Sequence, residues 1–296
     1  MQAHAPITAV LVAYNSETVI ADSLAALLKT PAIAEIIVVD NCSHDATCEL
    51  IRNQFPSVTL IENPRNAGFG RANNIALERV KTPFALLVNP DAVVEVGAVE
   101  TFLEAAAIYP DAAILAPTLY DSDGNIHQSF KRNVFNREKN SGIYTPPEGA
   151  CCAEFLSGAA WLLNMAHMKH IGFFDPNIFL FYEDDDLCIR ARRAGYGLVF
   201  VPGAKVKHAM GTSSGSSKPG SEFFKQAHMF WSRLYVEFKY FGMKAAKKRA
   251  RLLYIECALK AFLYTLVGNK AKTNRYRGRL QGIKAFSVSP GSAPKL

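Results

Sequence analysis

Residues 7–13 read ITAVLVA and residues 35–40 read EIIVVD, and these two stretches decide the predicted fold of the 296-residue chain. Both are nearly continuous apolar runs, which is typical of strands that are buried on both faces of a sheet. Residues 17–29, between them, have the spacing of apolar residues that favours a helix. A strand, a helix and a second strand in this order predict two parallel strands joined by a right-handed crossover.

The same alternation continues through about the first 120 residues. The sequence predicts a helix over residues 44–54, a strand over 58–62, a helix over 70–81 and a strand over 83–88, which reads PFALLV. This order of elements predicts an α/β fold in which helices flank a mostly parallel, mixed sheet.

The middle of the chain is less regular. Residues 155–163 and 198–201 have the composition of strands, and residues 184–194 have the spacing of a helix. Two polar stretches rich in Gly predict a mobile loop over residues 131–152 and a flexible segment over residues 211–220.

Charge is distributed unevenly along the chain. From Lys225 to Leu296 there are 16 Lys and Arg and only two acids, a balance of +14, whereas the preceding residues carry a balance of −7. The helical spacing of apolar residues from residue 221 onward predicts that this basic region is a helical extension. A basic extension on an acidic body predicts that the extension meets an anionic partner.

Polar residues follow four successive predicted strands, and an Asn or Asp occurs after each. Sheets of this kind bind ligands at the carboxyl ends of their strands. The sequence therefore predicts a ligand site at this edge, formed by Tyr14, Asn15 and Ser16, by Asp40 and Asn41, by Asn63, Arg65 and Asn66, and by Asn89 and Asp91.

Asp40 ends the second strand, where an acid can accept hydrogen bonds from a nucleobase or from ribose hydroxyls. A helix N-cap or a turn residue explains the same position equally well. No GxGxxG motif follows the first strand, which disfavours a dinucleotide cofactor.

The stretch NPRNAGFGRANN, residues 63–74, has the composition of an anion-binding loop. Gly68 and Gly70 permit a ligand to approach the backbone closely, and Arg65 and Arg71 can bind a diphosphate. A helix that begins near Gly70 would favour the same anion. The alternative is a plain turn with surface arginines.

Two further motifs offer ligands for a cation. Asp91, in Asn89-Pro90-Asp91, can ligate a divalent cation that bridges two phosphates, because Mg²⁺ and Mn²⁺ prefer oxygen ligands. His208 can complete such a site or neutralise phosphate. The alternatives are an Asn-Pro turn and a structural histidine.

Glu183, Asp184, Asp185 and Asp186 form the densest acidic cluster of the sequence. Four adjacent acids repel one another unless a function or a cation requires them. One of them can act as the general base for an acceptor hydroxyl. A solvated helix start is the alternative, because the helix dipole favours acids there.

Together these motifs resemble the inverting family 2 glycosyltransferases with a GT-A fold, and most of all the rhamnosyltransferases that build bacterial surface polysaccharides. The resemblance covers roughly residues 7–240. It rests on VAYNS (12–16), VVDNCSHDAT (38–47), NPRNAGFGRANN (63–74), LLVNPDA (86–92), FLSGAAWLL (155–163), FYEDDDLCIRARRAGY (181–196) and His208 before GTS.

The resemblance implies a Rossmann-like GT-A catalytic domain over residues 1–220, followed by the basic helical region over residues 221–296. The donor-binding half of that domain would span about residues 1–120, and the acceptor half about residues 121–220.

The resemblance also implies the role of each site residue. Asp184 matches the general base, and Asp91 matches the metal-binding carboxylate of the DxD element, in which Asn89 replaces the first acid. Asp91 and His208 would hold Mg²⁺ or Mn²⁺. The implied donor-binding residues are Ala13, Tyr14, Asn15, Asp40, Arg65, Asn66, Gly68, Asn89 and Asp91, and the implied acceptor-binding residues are Trp161 and Glu183.

The implied reaction moves a sugar from a nucleotide-sugar donor to an acceptor hydroxyl on a saccharide or a lipid-linked saccharide. Resemblance alone points to rhamnose from dTDP-rhamnose. A catalytically inactive nucleotide-sugar-binding protein is one alternative. A sugar nucleotidyltransferase is another, although no Gly-rich phosphate loop follows the first strand. The acidic body argues against a nucleic-acid partner.

The basic extension predicts a peripheral position on a membrane. Residues 252–267 are apolar apart from Glu256 and Lys260, and they follow a basic run at residues 245–251. This pattern is typical of an amphipathic helix on an anionic membrane surface. A helical lid or a homodimer through the C-terminal helices explains it equally well.

The sequence carries no signal-peptide pattern at residues 1–6 and no uninterrupted apolar stretch of about 18 residues. We therefore expect a cytoplasmic protein that associates with the inner face of the cytoplasmic membrane.

Overall fold

The computed structural model describes residues 6–127, 129–131, 147–209, 221–291 and 293. Most of the predicted mobile loop over residues 131–152, and the whole predicted flexible segment over residues 211–220, lie outside the described residues.

The chain forms two compact units. The first comprises Met1–Ala67, Ala72–Phe174 and Leu187–Gly215, and the second comprises Gly68–Arg71, Asp175–Asp186 and Ser216–Leu296. The predicted domain boundary after residue 220, and the division into donor and acceptor halves, stay predictions.

The strands of the described residues all belong to the first unit. They are β1 Ile7–Ala13, β2 Ile33–Asp40, β3 Thr59–Glu62, β4 Phe84–Val88, β5 Ala92–Val94, β6 Ala112–Tyr120, β7 Ile126–His127, β8 Phe130–Lys131, β9 Cys151–Cys152, β10 Phe155–Leu156, β11 Ala160–Asn164 and β12 Gly197–His208.

The helices of the described residues flank the sheet or form the C-terminal extension. They are α1 Ile20–Leu28, α2 Thr47–Gln54, α3 Phe69–Leu77, α4 Ala98–Ile108, α5 Met165–Ile171, α6 Glu183–Arg193, α7 Ser221–Leu266 and α8 Lys270–Val288.

The main sheet has the order β3-β2-β1-β4-β11-β6-β12-β5 among the described residues. Its first four strands are parallel, and β11 and β5 run antiparallel to their neighbours. All seven residues of β1 are buried, which explains its continuous apolar sequence. The predicted α/β fold, a mostly parallel mixed sheet with flanking helices and a helical C-terminal extension, is confirmed.

Two strand predictions need correction. The stretch 155–163 forms two strands, because β10 pairs with β8 in a separate small sheet while β11 pairs with β4 and β6. The strand predicted over residues 198–201 continues to His208, because its second half also gains β5 as a partner. Both differences come from pairing with distant strands, which local composition does not record.

Helix boundaries differ from the predictions by a few residues. The helix predicted over residues 44–54 begins at Thr47, because the residues before it form a loop that bonds to other strand ends. The helix predicted over residues 70–81 ends at Leu77, after which tighter turn hydrogen bonds replace the helical ones.

The C-terminal helices of the second unit form a compact bundle. Helix α7 turns at Gly242, which adopts φ 82° and ψ 169°, so that residues 221–241 and 243–266 are separate helical segments. The Arg249 side chain lies 3.7 Å from Glu237 across this turn. The Arg279 side chain of α8 lies 5.0 Å from the Phe230 ring, so α8 packs beside the first segment.

Two glycines of α8 permit this packing. A β-carbon at Gly278 would overlap the carbonyl oxygen of Phe223, and one at Gly282 would overlap that of Ala227. The backbones of α7 and α8 therefore approach more closely than any other residue at these positions would allow. Among the described residues, no helix is both long and apolar enough to cross a bilayer.

We predict that Gly282→Ala destabilises the protein. Helix propensity alone would make this change stabilising by about 1 kcal/mol. The overlap with Ala227 makes the net change in stability unfavourable, because overpacking of this kind costs about 1–3 kcal/mol. Urea unfolding followed by circular dichroism measures the difference. Gln281→Ala, an exposed neighbour on the same helix, is the control and should change stability by less than about 0.5 kcal/mol. A more stable Gly282→Ala variant would contradict the close approach.

Candidate active site

The carboxyl ends of the first three strands lie in register. Ala13 pairs with Asp40, and Asp40 pairs with Glu62. The backbone N–H of Asn41 donates to the carbonyl of Ala13, and that of Asn63 donates to the carbonyl of Asp40, both at 2.8 Å. The predicted donor-binding residues that follow these strands thus lie along one edge of the sheet.

The loop after β1 is fastened to the loop after β2. The backbone N–H of Asn15 donates to Ser43 Oγ at 2.8 Å, and Asn15 Oδ1 accepts from the backbone N–H of His44 at 2.8 Å. Asn15 adopts φ 51°, in the left-handed region that Asn tolerates. Ala13 is therefore held by strand pairing and Asn15 by its backbone and its side chain, and the Tyr14 side chain between them is half-buried.

Asp40 is almost completely buried and uses its two carboxylate oxygens differently. Oδ2 accepts from the backbone N–H of Ser43 at 2.9 Å, whereas Oδ1 has no hydrogen-bond partner among the described residues. Helix α2 begins after Ala46 without a side-chain cap, so Asp40 is a turn residue and not its N-cap. Leaving a buried hydrogen-bond acceptor without a partner costs free energy. Oδ1 is therefore suited to accept a hydrogen bond from a ligand.

Cys48 lies beside Asp40. Burial, and then the negative charge of Asp40, raise the pKa of the Cys48 thiol to about 12. The thiol therefore stays neutral at physiological pH, and its S–H is a hydrogen-bond donor beside the Asp40 carboxylate.

Asn41 holds the loop that follows β3, a role that the sequence did not reveal. Asn41 Oδ1 accepts from Asn63 Nδ2 at 3.1 Å and from the backbone N–H of Ala67 at 2.9 Å. Asn41 Nδ2 donates to Asn66 Oδ1 at 2.9 Å. Asn66 is thus fixed, while the neighbouring Arg65 side chain is exposed and available to an anion.

Gly68 belongs to the second unit, where it approaches the protein's own backbone. It adopts φ 87°, and a β-carbon there would overlap the carbonyl oxygen of Phe179. The next residue, Phe69, donates its N–H to that oxygen at 3.0 Å. The close approach predicted for Gly68 is therefore made to Phe179, and its contact with a donor stays a prediction. The Arg71 guanidinium is bonded to the Pro176 carbonyl in the same unit.

Asp91 and His208 lie together although they are 117 positions apart in the sequence. The pairing of β5 with β12 places His208 opposite Ala92, so His208 Nε2 lies 3.3 Å from Asp91 Oδ1. The Asp91 side chain is buried, and His208 Nδ1 has no hydrogen-bond partner among the described residues. The backbone of Asn89 bonds to Ala159 and Ala92, which fixes the turn before Asp91.

The two candidate metal ligands at this position are one carboxylate and one imidazole. No group of three or more His, Cys, Asp or Glu side chains suited to a metal occurs in the described part of the chain. Two protein ligands fit a cation such as Mg²⁺ or Mn²⁺, which usually keeps waters and phosphate oxygens in its remaining positions.

The acidic cluster opens α6 after strained backbone. Phe181 and Tyr182 adopt φ 65° and 70°, left-handed values that are rare for bulky residues. Such strain costs about 1–3 kcal/mol per residue and persists where the surrounding structure enforces it, often at functional sites.

The four acids have different environments. Glu183, Asp185 and Asp186 are buried, and Asp184 is partly exposed. The alternative of a solvated helix start is therefore wrong for three of the four. Asp184 Oδ1 accepts from the backbone N–H of Asp185 at 3.0 Å, which fixes one oxygen of the carboxylate.

Lys239 of α7 neutralises the end of the cluster. Its ammonium lies 2.6 Å from Asp186 Oδ1 and 2.6 Å from Asp175 Oδ2. Tyr240 Oη donates to Asp186 at 2.7 Å. Burial opposes ionisation of Asp175, yet the Lys239 ammonium outweighs it and holds the pKa of Asp175 below its ordinary value. These contacts fasten both ends of residues 175–186 to α7.

Tyr235 completes this network. Its hydroxyl donates to Asp175 Oδ2 at 2.9 Å, and burial, together with the Asp175 carboxylate, raises the pKa of Tyr235 to about 12. The sequence identified the acids, but it did not identify Asp175, Tyr235, Lys239 or Tyr240, because their partners are 53 to 64 residues away.

Trp161 is completely buried on β11, and its ring stacks against Phe174 with centroids 6.3 Å apart. The indole Nε1 has no hydrogen-bond partner among the described residues, and the predicted contact of Trp161 with the acceptor stays a prediction. The last residues of FLSGAAWLL belong to β11, which pairs with β4 and β6 inside the main sheet.

Glu183 should make stability fall as the pH rises. Burial, and then the neighbouring Asp184 charge, raise the pKa of Glu183 to about 8, above the range of an unfolded glutamate. Between about pH 5 and pH 8 the unfolded chain loses a proton that the folded chain keeps, so unfolding becomes easier. Glu183→Gln should remove this dependence and gain more than about 1 kcal/mol over the wild type at pH 8. Thermal unfolding at several pH values measures it, with the exposed Glu104→Gln as control. Parallel pH profiles for wild type and Glu183→Gln would contradict the assignment.

Three comparisons with known proteins bear on this arrangement. The model of the family "Glycosyl transferase family 2" matches residues 8–171, more than half of the chain. An N-acetylglucosaminyl-diphospho-decaprenol L-rhamnosyltransferase of Mycobacterium tuberculosis is 26% identical over 218 residues, which cover 64% of this chain and 70% of the relative.

Solved structures share the fold at low sequence identity. GalNAc-T7, solved with UDP, GalNAc and Mn²⁺, is 14% identical with a TM-score of 0.57, covering 79% of this chain, which spans half of the length of that protein. A mannosyltransferase of Pyrobaculum calidifontis, solved with GDP-Man and Mn²⁺, is 14% identical with a TM-score of 0.56 and covers 97% and 88% of the two chains. With its GT-A fold, its family match and its resemblance to a rhamnosyltransferase, the chain belongs to glycosyl transferase family 2 and is a glycosyltransferase.

Proposed function

We propose that the chain transfers rhamnose from dTDP-rhamnose to a hydroxyl of a lipid-linked or growing bacterial polysaccharide, with inversion at the anomeric carbon. The observation that carries the mechanism is the exposure of Asp184 beside three buried acids. The rhamnosyltransferase named above supports the choice of sugar, and its name includes a lipid diphosphate acceptor.

The donor nucleotide binds at the sheet edge of the first unit. Asp40 Oδ1 accepts from the ribose or the base, because it is buried and lacks a partner among the described residues. The remaining proposed donor-binding residues of this unit are Ala13, Tyr14, Asn15, Asn66 and Asn89. The exposed guanidinium of Arg65 binds the diphosphate.

Asp91 and His208 would hold Mg²⁺ or Mn²⁺. Both related structures described above contain Mn²⁺ with a nucleotide or nucleotide sugar. The Asp91 carboxylate and His208 Nε2 would supply two ligands, and the fixed turn at Asn89 keeps Asp91 in place. When bound, the cation offsets the negative charge that develops on the leaving diphosphate.

Asp184 acts as the general base. Its carboxylate takes the proton from the acceptor hydroxyl while that oxygen forms a bond to the anomeric carbon. The bond between the anomeric carbon and the diphosphate oxygen breaks in the same displacement, so the configuration inverts. One Asp184 oxygen is held by the Asp185 N–H, and the side chain remains partly exposed.

Glu183 contacts the acceptor as a neutral acid. Its raised pKa keeps a proton on the carboxyl at neutral pH, and Oε2 has no hydrogen-bond partner among the described residues. A protonated carboxyl can donate a hydrogen bond to an oxygen of the acceptor substrate, whereas a carboxylate cannot. It also leaves Asp184 as the charged group that receives the proton.

We expect Asp184→Asn to abolish most of the turnover. General-base assistance contributes about 10²–10⁴-fold in rate, and an amide cannot receive the proton. Donor binding should be nearly unchanged, because the base acts on the acceptor. Release of nucleoside diphosphate measures turnover, and calorimetry with dTDP-rhamnose measures binding. Asp123→Asn, at an exposed turn, is the control. Turnover within two- to three-fold of wild type would refute the assignment of the base.

We expect Asp91→Ala to weaken donor binding in the presence of Mn²⁺ at least about ten-fold, a loss of about 1.4 kcal/mol. Without a divalent cation, the variant and the wild type should bind the donor equally weakly. His208→Ala should behave in the same way, and the exposed His170→Ala is the control. Calorimetry with Mn²⁺ and with a chelator measures the four proteins. Equal Mn²⁺ dependence in wild type and Asp91→Ala would remove Asp91 from the metal site.

A further inference from the structure

The second segment of α7 exposes a row of large apolar side chains. Its six members, each between 56% and 67% exposed, are Leu252, Ile255, Leu259, Phe262, Leu263 and Leu266. At about 100° per residue they fall within an arc of about 100° on one side of the helix, and the row is about 21 Å long. We call these six side chains the apolar row.

The opposite side of the same segment is already buried. Ala246, Ala250, Leu253, Cys257 and Ala261 are each less than 10% exposed. This side supplies the packing that holds the segment in its unit. The apolar row is therefore a second apolar side that the unit does not use for its core, and exposed apolar surface of this kind marks an interaction site.

The row lies in strongly positive surroundings. Residues 243–288 contain twelve Lys and Arg and a single acid, Glu256. Glu256 is neutralised by Lys260, whose ammonium lies 2.5 Å from its carboxylate. The exposed Lys248 and Arg251 precede the row on the same helix, and the exposed Lys270 and Lys272 follow it.

We propose that the apolar row is a docking face for an anionic phospholipid surface, on which residues 243–266 lie parallel to the membrane. Apolar side chains enter the boundary of the acyl chains while the surrounding cations meet lipid phosphates. Charge decides against a second copy of this chain, because a homodimer through this face would bring two positive surfaces together. The apolar row also distinguishes the face from a nucleic-acid site, where polar and cationic contacts dominate.

Docking through this face depends on the exposure of the apolar row and on the charge of α7. It does not depend on the proposed donor site, metal ligands or base. It gives the proposed lipid-linked acceptor a surface on which enzyme and substrate meet. Failure of the transferase assay would leave membrane docking intact, and failure of docking would leave transfer to a water-soluble acceptor intact.

Vesicle flotation of the full chain tests the proposal. The protein should float with vesicles of phosphatidylcholine containing about 30% phosphatidylglycerol, and it should stay at the bottom with phosphatidylcholine alone. Salt at about 0.5 M should reduce flotation by screening the cations. Equal flotation with both kinds of vesicle would overturn the requirement for anionic lipid.

The double variant Leu259→Glu with Phe262→Glu should lower the bound fraction at least ten-fold. The matched control is Val96→Glu with Ile108→Glu, which makes the same charge change at exposed apolar positions of the first unit. Unchanged melting temperatures and unchanged transfer to a soluble acceptor establish that both variants are folded. An equal loss of the vesicle-bound fraction in both double variants would overturn the assignment of the docking face to the apolar row.

Sedimentation equilibrium separates the remaining alternative. The wild type and both variants should have the same oligomeric state in solution. If the wild type were a dimer that only Leu259→Glu with Phe262→Glu dissociates, the row would be an interface between copies of the chain, and membrane docking would be overturned.

Discussion

The ammonium of Lys239, 2.6 Å from both Asp175 and Asp186, is the contact on which residues 175–186 depend. Two buried carboxylates share one cation and receive further hydrogen bonds from Tyr235 and Tyr240. Breaking such a buried pair costs about 3–5 kcal/mol, because the remaining charge has no compensation. The strained Phe181 and Tyr182 lie within this fastened stretch, which explains how their backbone conformation is maintained.

The acidic cluster shows how one run of similar residues acquires distinct properties. Asp186 is neutralised by Lys239, Glu183 is pushed toward the neutral form by burial, and Asp184 remains partly exposed. Three carboxyls within one run thus have three different environments: one is paired with an ammonium, one is buried, and one is partly exposed. The resemblance implies Asp184 as the base, and its partial exposure beside three buried acids supports that proposal.

Prediction from the sequence succeeded where a signal is local and failed where it is not. Continuous apolar runs identified β1, β2 and β4 because strands buried on both faces need no polar side. The break between β10 and β11, the extension of β12 to His208 and the burial of Trp161 depend on distant pairing partners. The Asn41 hydrogen bonds and the Lys239 bridge were missed for the same reason.

The sequence by itself determined the alternation of strands and helices, the glycosyltransferase family and the residues from which a site could be chosen. Only the tertiary structure decided which of those residues meet, because contacts such as Asp91 with His208 are made by strand pairing across more than 100 positions. It also decided that the apolar row of α7 is exposed and not core. Apolar spacing is the same on either side of a helix, and only packing selects the side that is buried.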